Sequence, residues 1–447
     1  MASMGTLKSL NDDLKLRARE FKKVLFPGDV FDLLRQLPAR ENTLARLYLH
    51  TCASAKNSQM MEIYDTLQFA VPNHLIAGME VLCEVVANYA GYFTSSSVSS
   101  AQRGAIIAVL ESVLEKMKGA GFDQKCLTPI HTNLLCLRMI EGDADGCLPL
   151  ASRRFETAFA PNIYAQETLA FFYYAGIVHT WKQQYENAEK CFELVCLSPM
   201  LQIPSWITVC AFRKYMLTAL IVHGDVPPAV PERLRFLTDT FRYNEASLAG
   251  YVELAQFYSK GNVLEFRRRM MELHITLRSD GNLGLAKRAE MCILQHLVKK
   301  MRSLYTSCTF GQILRRAHLK DIPENVDEVR NAVDSLIAAK TVPISYLDAE
   351  HTMIKFEDDP AGFSSQASIA KLESRVHHVL EYSDILEDKR QSSVIQYEHG
   401  QRSFSQAVPE TMGMASSHDP RSFQFGKGFY SRRGFDSDDD SDDDFDN

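Results

Sequence analysis

The chain has 447 residues, 46% of them apolar, with only 22 Gly and 16 Pro, enough for two or three domains with sizeable cores and long helices. Its net charge of −7 sits at one end: eight Asp and no basic residue follow from Asp436, and subtracting those eight carboxylates leaves +1. A nearly neutral body argues against a dedicated nucleic-acid binder, and the most apolar run, residues 169–181, is too short to cross a bilayer.

Helical punctuation dominates from residue 11 to about 308. Pro27 and Gly28 separate a first amphipathic segment from DVFDLLRQL, where Asp29 is placed to cap the next helix. In VPNHLIAGMEVLCEVVANYAGYF, Pro72 opens a helix expected to run apolar for several turns. SSAQRGAIIAVLESVLEKMKGAG starts behind serines and stops at Gly119, and LTPIHTNLLCLRMI uses Thr128 as cap and Pro129 as its first helical residue. No run before residue 340 alternates convincingly with period two, so this part is expected to be an all-helical stack. The ten cysteines are scattered, with no pair separated by two residues. They read as reduced thiols inside helical cores, not as a zinc or redox motif. The N-terminus has no apolar signal core, which predicts a soluble intracellular protein.

Pairs of helices joined by short turns suggest a solenoid, in which each pair buries a face against the next. Residues 172–200 are the clearest unit. Against the tetratricopeptide pattern, Phe172 takes the large aromatic position, Gly176 the small one, Tyr185 the second-helix aromatic, Ala188 the next small one and Phe192 the later aromatic. Pro199 falls one residue early, and His179 and Val195 depart from the usual choices. Tyr185, Ala188, Phe192 and Val195 are spaced three, four and three apart, which puts them in one stripe. Gly176 and Ala188 remove bulk where the helices cross, so the stripe reads as a helix-pair clasp and not a catalytic device.

After a proline-broken joint at 226–234 come three more helical segments, and then the texture changes. FGQILRRAHL is a short helix and NVDEVRNAVDSLIAAK a second, with Val329, Val333, Leu336 and Ile337 as its apolar face. Two extended runs, 341–346 and 352–356, surround a turn. Helix, helix, hairpin is the winged-helix order. The second helix carries Asp327, Glu328 and Asp334 against Arg330 and Lys340, with Glu324 just ahead, a charge pattern that repels phosphates; Arg315, Arg316 and Lys320 keep a nucleic-acid reading open. The hairpin's outer strand is expected to offer a backbone edge to a partner. A further amphipathic helix follows, with Ile369, Leu372, Val376 and Val379 spaced three, four and three apart. From about residue 391 the chain is polar and is expected to be disordered. Ser437 and Ser441 are each followed by three Asp, the pattern of an acid-directed kinase site; a solvating acidic tail is the alternative.

No phosphate loop, nucleophile elbow or His-Glu-X-X-His helix is present, and the adjacent His377 and His378 make a poor metal pair. The chain is therefore expected not to be an enzyme and to hold no metal or cofactor.

Helical repeats leading into a winged helix and a terminal helix resemble the PCI-domain family. The stretches that carry the resemblance are 167–200, 212–224, 251–289 and the hairpin sequence IKFEDDP at 354–360. Members of that family build the horseshoe of the proteasome lid, the COP-9 signalosome and the translation initiation factor three complex, and these stretches are most similar to a signalosome subunit. The resemblance implies N-terminal helical repeats over 1–160, a tetratricopeptide-like part of the PCI domain over 161–283, its winged helix over 284–360, a bundle helix over 361–390 and a tail over 391–447. It implies a scaffold that pairs through the edge strand Thr352, Met353, Ile354, Lys355 and Phe356 and bundles through Ile369, Leu372, Val376, Val379 and Leu386. Its partners would be other PCI subunits and the metal-dependent catalytic subunits of a complex that strips a ubiquitin-like modifier from cullin–RING ubiquitin ligases. Such a protein works in cytoplasm and nucleus, away from membranes. A proteasome-lid subunit and a nucleic-acid-binding PCI protein remain as alternatives.

Overall fold

The computed structural model describes residues 4–24, 27–52, 60–95, 98–155, 157–158, 165–198, 205–225, 246–339, 342–348, 352–357, 369–370, 372–377, 379–380 and 383. The chain divides into two compact units, Met1–Asp358 and Asp359–Asn447. The proline joint at 226–234, Lys340, His378, Leu386, Ser437 and Ser441 lie outside the described residues.

The first unit opens with α1 (Met4–Val24), α2 (Pro27–Gln36), α3 (Thr43–Cys52), α4 (Met60–Gln68), α5 (Pro72–Ala77), α6 (Met79–Phe93) and α7 (Ser100–Gly119). Next come α8 (Pro129–Ile140), α9 (Ala144–Ala151), α10 (Ala165–Trp181), α11 (Tyr185–Leu197) and α12 (Trp206–His223). After these follow α13 (Ala246–Ser259), α14 (Val263–Glu272), α15 (His274–Ser279) and α16 (Leu283–Met301). The caps explain several boundaries. Ser99 accepts from the Gln102 N–H and closes a capping box on α7, and Thr128 with Pro129 opens α8 as expected. Two boundaries differ. α2 begins at Pro27, so Asp29 lies inside it and not at the position ahead of its first turn. The long helix expected after Pro72 breaks at Gly78, where an added Cβ would stand 2.4 Å from Leu44 Cδ2 of α3; the missing side chain permits that approach.

Two apolar cores result, one running from Leu47 to Val178 and one from Ala188 to Phe356. α10 serves both. Phe171, Ala175 and Val178 belong to the first core, Leu169, Tyr173 and Ile177 pack against the second, and Phe172 touches each. A helix buried on two faces needs apolar residues all round, which is why AFFYYAGIV shows no polar side.

The clasp between α10 and α11 is present. Phe192 is fully buried against Gly176, where an added Cβ would lie 2.5 Å from its ring, and Ala188 and Val195 are buried beside it. Gln183, at φ 56°, turns the chain between the helices, and the Gln184 N–H donates to the His179 carbonyl at 2.9 Å.

The all-helical expectation before residue 340 fails in two places. A short parallel pair joins β1 (Cys126–Leu127) to β2 (Thr157–Ala158), and β3 (Ser307–Thr309) precedes the short helix α17 (Phe310–Arg316). After α18 (Pro323–Ala338) come β4 (Ile344–Tyr346) and β5 (Met353–Phe356). The three-stranded antiparallel sheet has the order β3-β5-β4, with Cys308 opposite Ile354 and Tyr346 opposite Ile354 on the other side. Ile354 and Phe356 bury themselves among Phe310, Ile313, Leu314, Val329, Val333 and Leu336.

Candidate interaction surfaces

The strand order corrects one expectation directly. Thr352, Met353, Ile354, Lys355 and Phe356 form the middle of the sheet and not its edge. The Phe310 N–H donates to the Thr352 carbonyl and the Phe356 N–H to the Thr306 carbonyl, both at 2.9 Å. On the other side the Leu347 N–H donates to the Met353 carbonyl at 3.0 Å. Backbone groups spent on both flanks leave β5 nothing to offer a partner strand. The outer strands are β3 and β4. On β3, the Thr309 N–H donates to Gln312 Oε1 at 3.0 Å, so the cap of α17 occupies that end. β4 is anchored to α18 by the Tyr346 hydroxyl, which donates to Asp334 Oδ1 at 2.6 Å. At the turn between β4 and β5, the Thr352 hydroxyl and the Thr352 and Met353 N–H groups converge on Asp348. They hold its carboxyl below the usual carboxylate range.

The acidic residues of α18 serve the fold. Arg267 of α14 donates to Glu290 of α16 and to Glu328 of α18, each at 2.8 Å, clamping three helices; Asp327 pairs with Arg330. Arg315, Arg316 and Lys320 are exposed.

In the second unit, residues 369–370, 372–377, 379–380 and 383 are helical. Ile369, Leu372, Val376 and Val379 are 44%, 51%, 51% and 68% exposed, and Leu380, a residue the spacing argument omits although it lies four beyond Val376, is 57% exposed. With Glu373 and His377 the first three and Leu380 line an apolar depression. An exposed apolar stripe is costly to leave in water, and a short helix is marginal without packing.

Buried polar clusters elsewhere hold helices together. A chain of hydrogen bonds runs from Arg213 to Asp280 (2.8 Å), from Tyr251 to Asp280 (2.9 Å), from Asn282 to the Tyr251 hydroxyl (2.8 Å) and from Lys214 to Asn282 (2.7 Å). It joins α12, α13 and the turn before α16, and burial lowers the Lys214 pKa. In the first core, Arg46 reaches the carbonyls of Leu34, Leu37 and Glu62, while His50 bonds Thr66 and Tyr89. Burial, aided by the Arg46 charge, pushes His50 down to about 3. Sequence spacing gives no sign of either cluster, because their members meet only through the tertiary fold. All ten cysteines are free thiols, and burial pushes Cys147, Cys191 and Cys308 up to about 11. Among the described residues, no group of three or more His, Cys, Asp and Glu could hold a metal ion, and no helix is long and apolar enough to cross a membrane.

These features define a class: a helical-repeat protein closed by a small three-stranded module. Residues 9–233, half of the chain, match the family described as COP9 signalosome complex subunit 3, N-terminal helical repeats, and the chain belongs to that family. It is 23% identical over 274 residues to COP9 signalosome complex subunit 3 of Drosophila melanogaster, a match covering 57% of this chain and 59% of the relative. It is also 23% identical over 372 residues to the subunit 3 of Arabidopsis thaliana, with 79% of this chain and 80% of the relative covered.

Proposed function

We propose that the chain is a non-catalytic scaffold subunit of the COP9 signalosome, working in cytoplasm and nucleus. The observation that carries the reading is the family match across the repeats, residues 9–233. What favours the signalosome over the proteasome lid is that the matching family and both relatives bear its name. As the PCI resemblance implies, the partners are the other PCI subunits and the metal-dependent subunits that act on cullin–RING ligases.

In this reading residues 284–360 are the winged helix of a PCI domain whose helical part spans 161–283, and residues 361–390 form the bundle helix. The strand order β3-β5-β4, with the β3 end taken by the cap of α17, supports β4 as the pairing edge in place of β5. The exposed stripe of Ile369, Leu372, Val376, Val379 and Leu380 supports the bundling role.

Affinity purification of the tagged chain from cells, followed by mass spectrometry, tests this assignment. The expected companions are the remaining COP9 signalosome subunits; proteasome-lid subunits, or no companions, would contradict it.

A further inference from the structure

The cations of α14 and those at the exit of α17 differ in their surroundings. Each arginine of α14 is neutralised: Arg267 by Glu290 and Glu328, Arg268 by Glu265, and Arg269 by Glu253 and Glu272. At the exit of α17 the pattern is reversed. Lys260 and Arg316 line one cleft of about 60 Å³, with Arg315 and Lys320 beside Arg316 in the chain, and all four are exposed. Among the described residues no carboxylate pairs with any of them. Lys300, in the same cleft, is different: it pairs with Asp225 at 3.6 Å and donates to the carbonyls of Gly224 and Ser259 at 3.2 Å. Leu304 adds an apolar wall, 66% exposed.

We propose that this surface docks an acidic polypeptide segment of a partner protein, with carboxylates over Lys260 and Arg316 and an apolar side chain against Leu304. The inference stands apart from the assignment to the signalosome. Unneutralised cations gathered around a cleft raise the local concentration of anions and strengthen their capture at low salt. Shape and surroundings favour a peptide over a duplex. The cleft admits single side chains, and α18 starts three residues after Lys320 with Glu324, Asp327 and Glu328, which oppose a track of phosphates.

Fluorescence anisotropy of the full chain with a fluorescein-labelled poly-aspartate peptide carrying one central Phe, at about 50 mM salt, tests the proposal. Lys260→Glu combined with Arg316→Glu is expected to weaken binding by about tenfold or more, and Arg268→Glu, which alters an arginine already paired, to leave it unchanged. Arg316→Gln, a gentler change checked for retained helix content by circular dichroism, is expected to weaken binding about threefold. The proposal is overturned by undiminished binding in the folded variants, by an equal loss in Arg268→Glu, or by tighter binding of labelled duplex DNA than of the peptide.

Discussion

Two helices in this chain carry the same apolar spacing and meet opposite fates. In α11, Tyr185, Ala188, Phe192 and Val195 are three, four and three residues apart, and the last three are fully buried, Phe192 against Gly176 of α10. In the second unit, the helical residues Ile369, Leu372, Val376 and Val379 repeat those offsets and all four are exposed. Spacing defines a sticky face, and what covers it depends on a complementary surface. α11 finds one in cis because Gly176 lets the Phe192 ring sit against its neighbour's backbone. The stripe of the second unit stays exposed.

The comparison can be broken at the sealed end. Phe192→Ala removes a fully buried ring from the clasp and is expected to cost about 3–5 kcal/mol by urea denaturation. A loss below about 1 kcal/mol would mean that the clasp is loosely packed. Arg46→Met is expected to cost about 3 kcal/mol, because the carbonyls of Leu34, Leu37 and Glu62 lose a buried donor; thermal unfolding reads this loss. Tyr346→Phe deletes only the bond to Asp334 and is expected to cost about 1 kcal/mol.

A pH titration sharpens the account of the first core. The pKa of His50 is depressed to about 3 and that of His131 to about 4, so the unfolded chain takes up protons that the folded chain refuses. Stability therefore rises with pH across this window: it is full above about pH 6.5 and falls progressively towards pH 3. Denaturation midpoints measured from pH 7.5 to 4 should show this slope, and His50→Gln should flatten it; an unchanged slope would show that other groups dominate.

Local rules made much of the fold legible. The capped ends of α7 and α8 and the buried face of α18 follow from Ser99, from Thr128 with Pro129, and from Val329, Val333 and Leu336. Distant contacts escaped them. Gly78 breaks a helix because Leu44 approaches from another element. β3 consists of Ser307, Cys308 and Thr309, too few residues to display an alternation, yet it pairs with β5 and thereby turns the expected edge strand into a central one. The spacing of Ile369, Leu372, Val376 and Val379 could be read in advance because it is a local property of the sequence.

The central claim is that sister subunits cover this stripe. Leu372→Asp combined with Val379→Asp, followed by co-purification from cells, tests it most directly. The account predicts that the variant loses its companions while circular dichroism shows helix content unchanged. Companions retained at wild-type levels would contradict it.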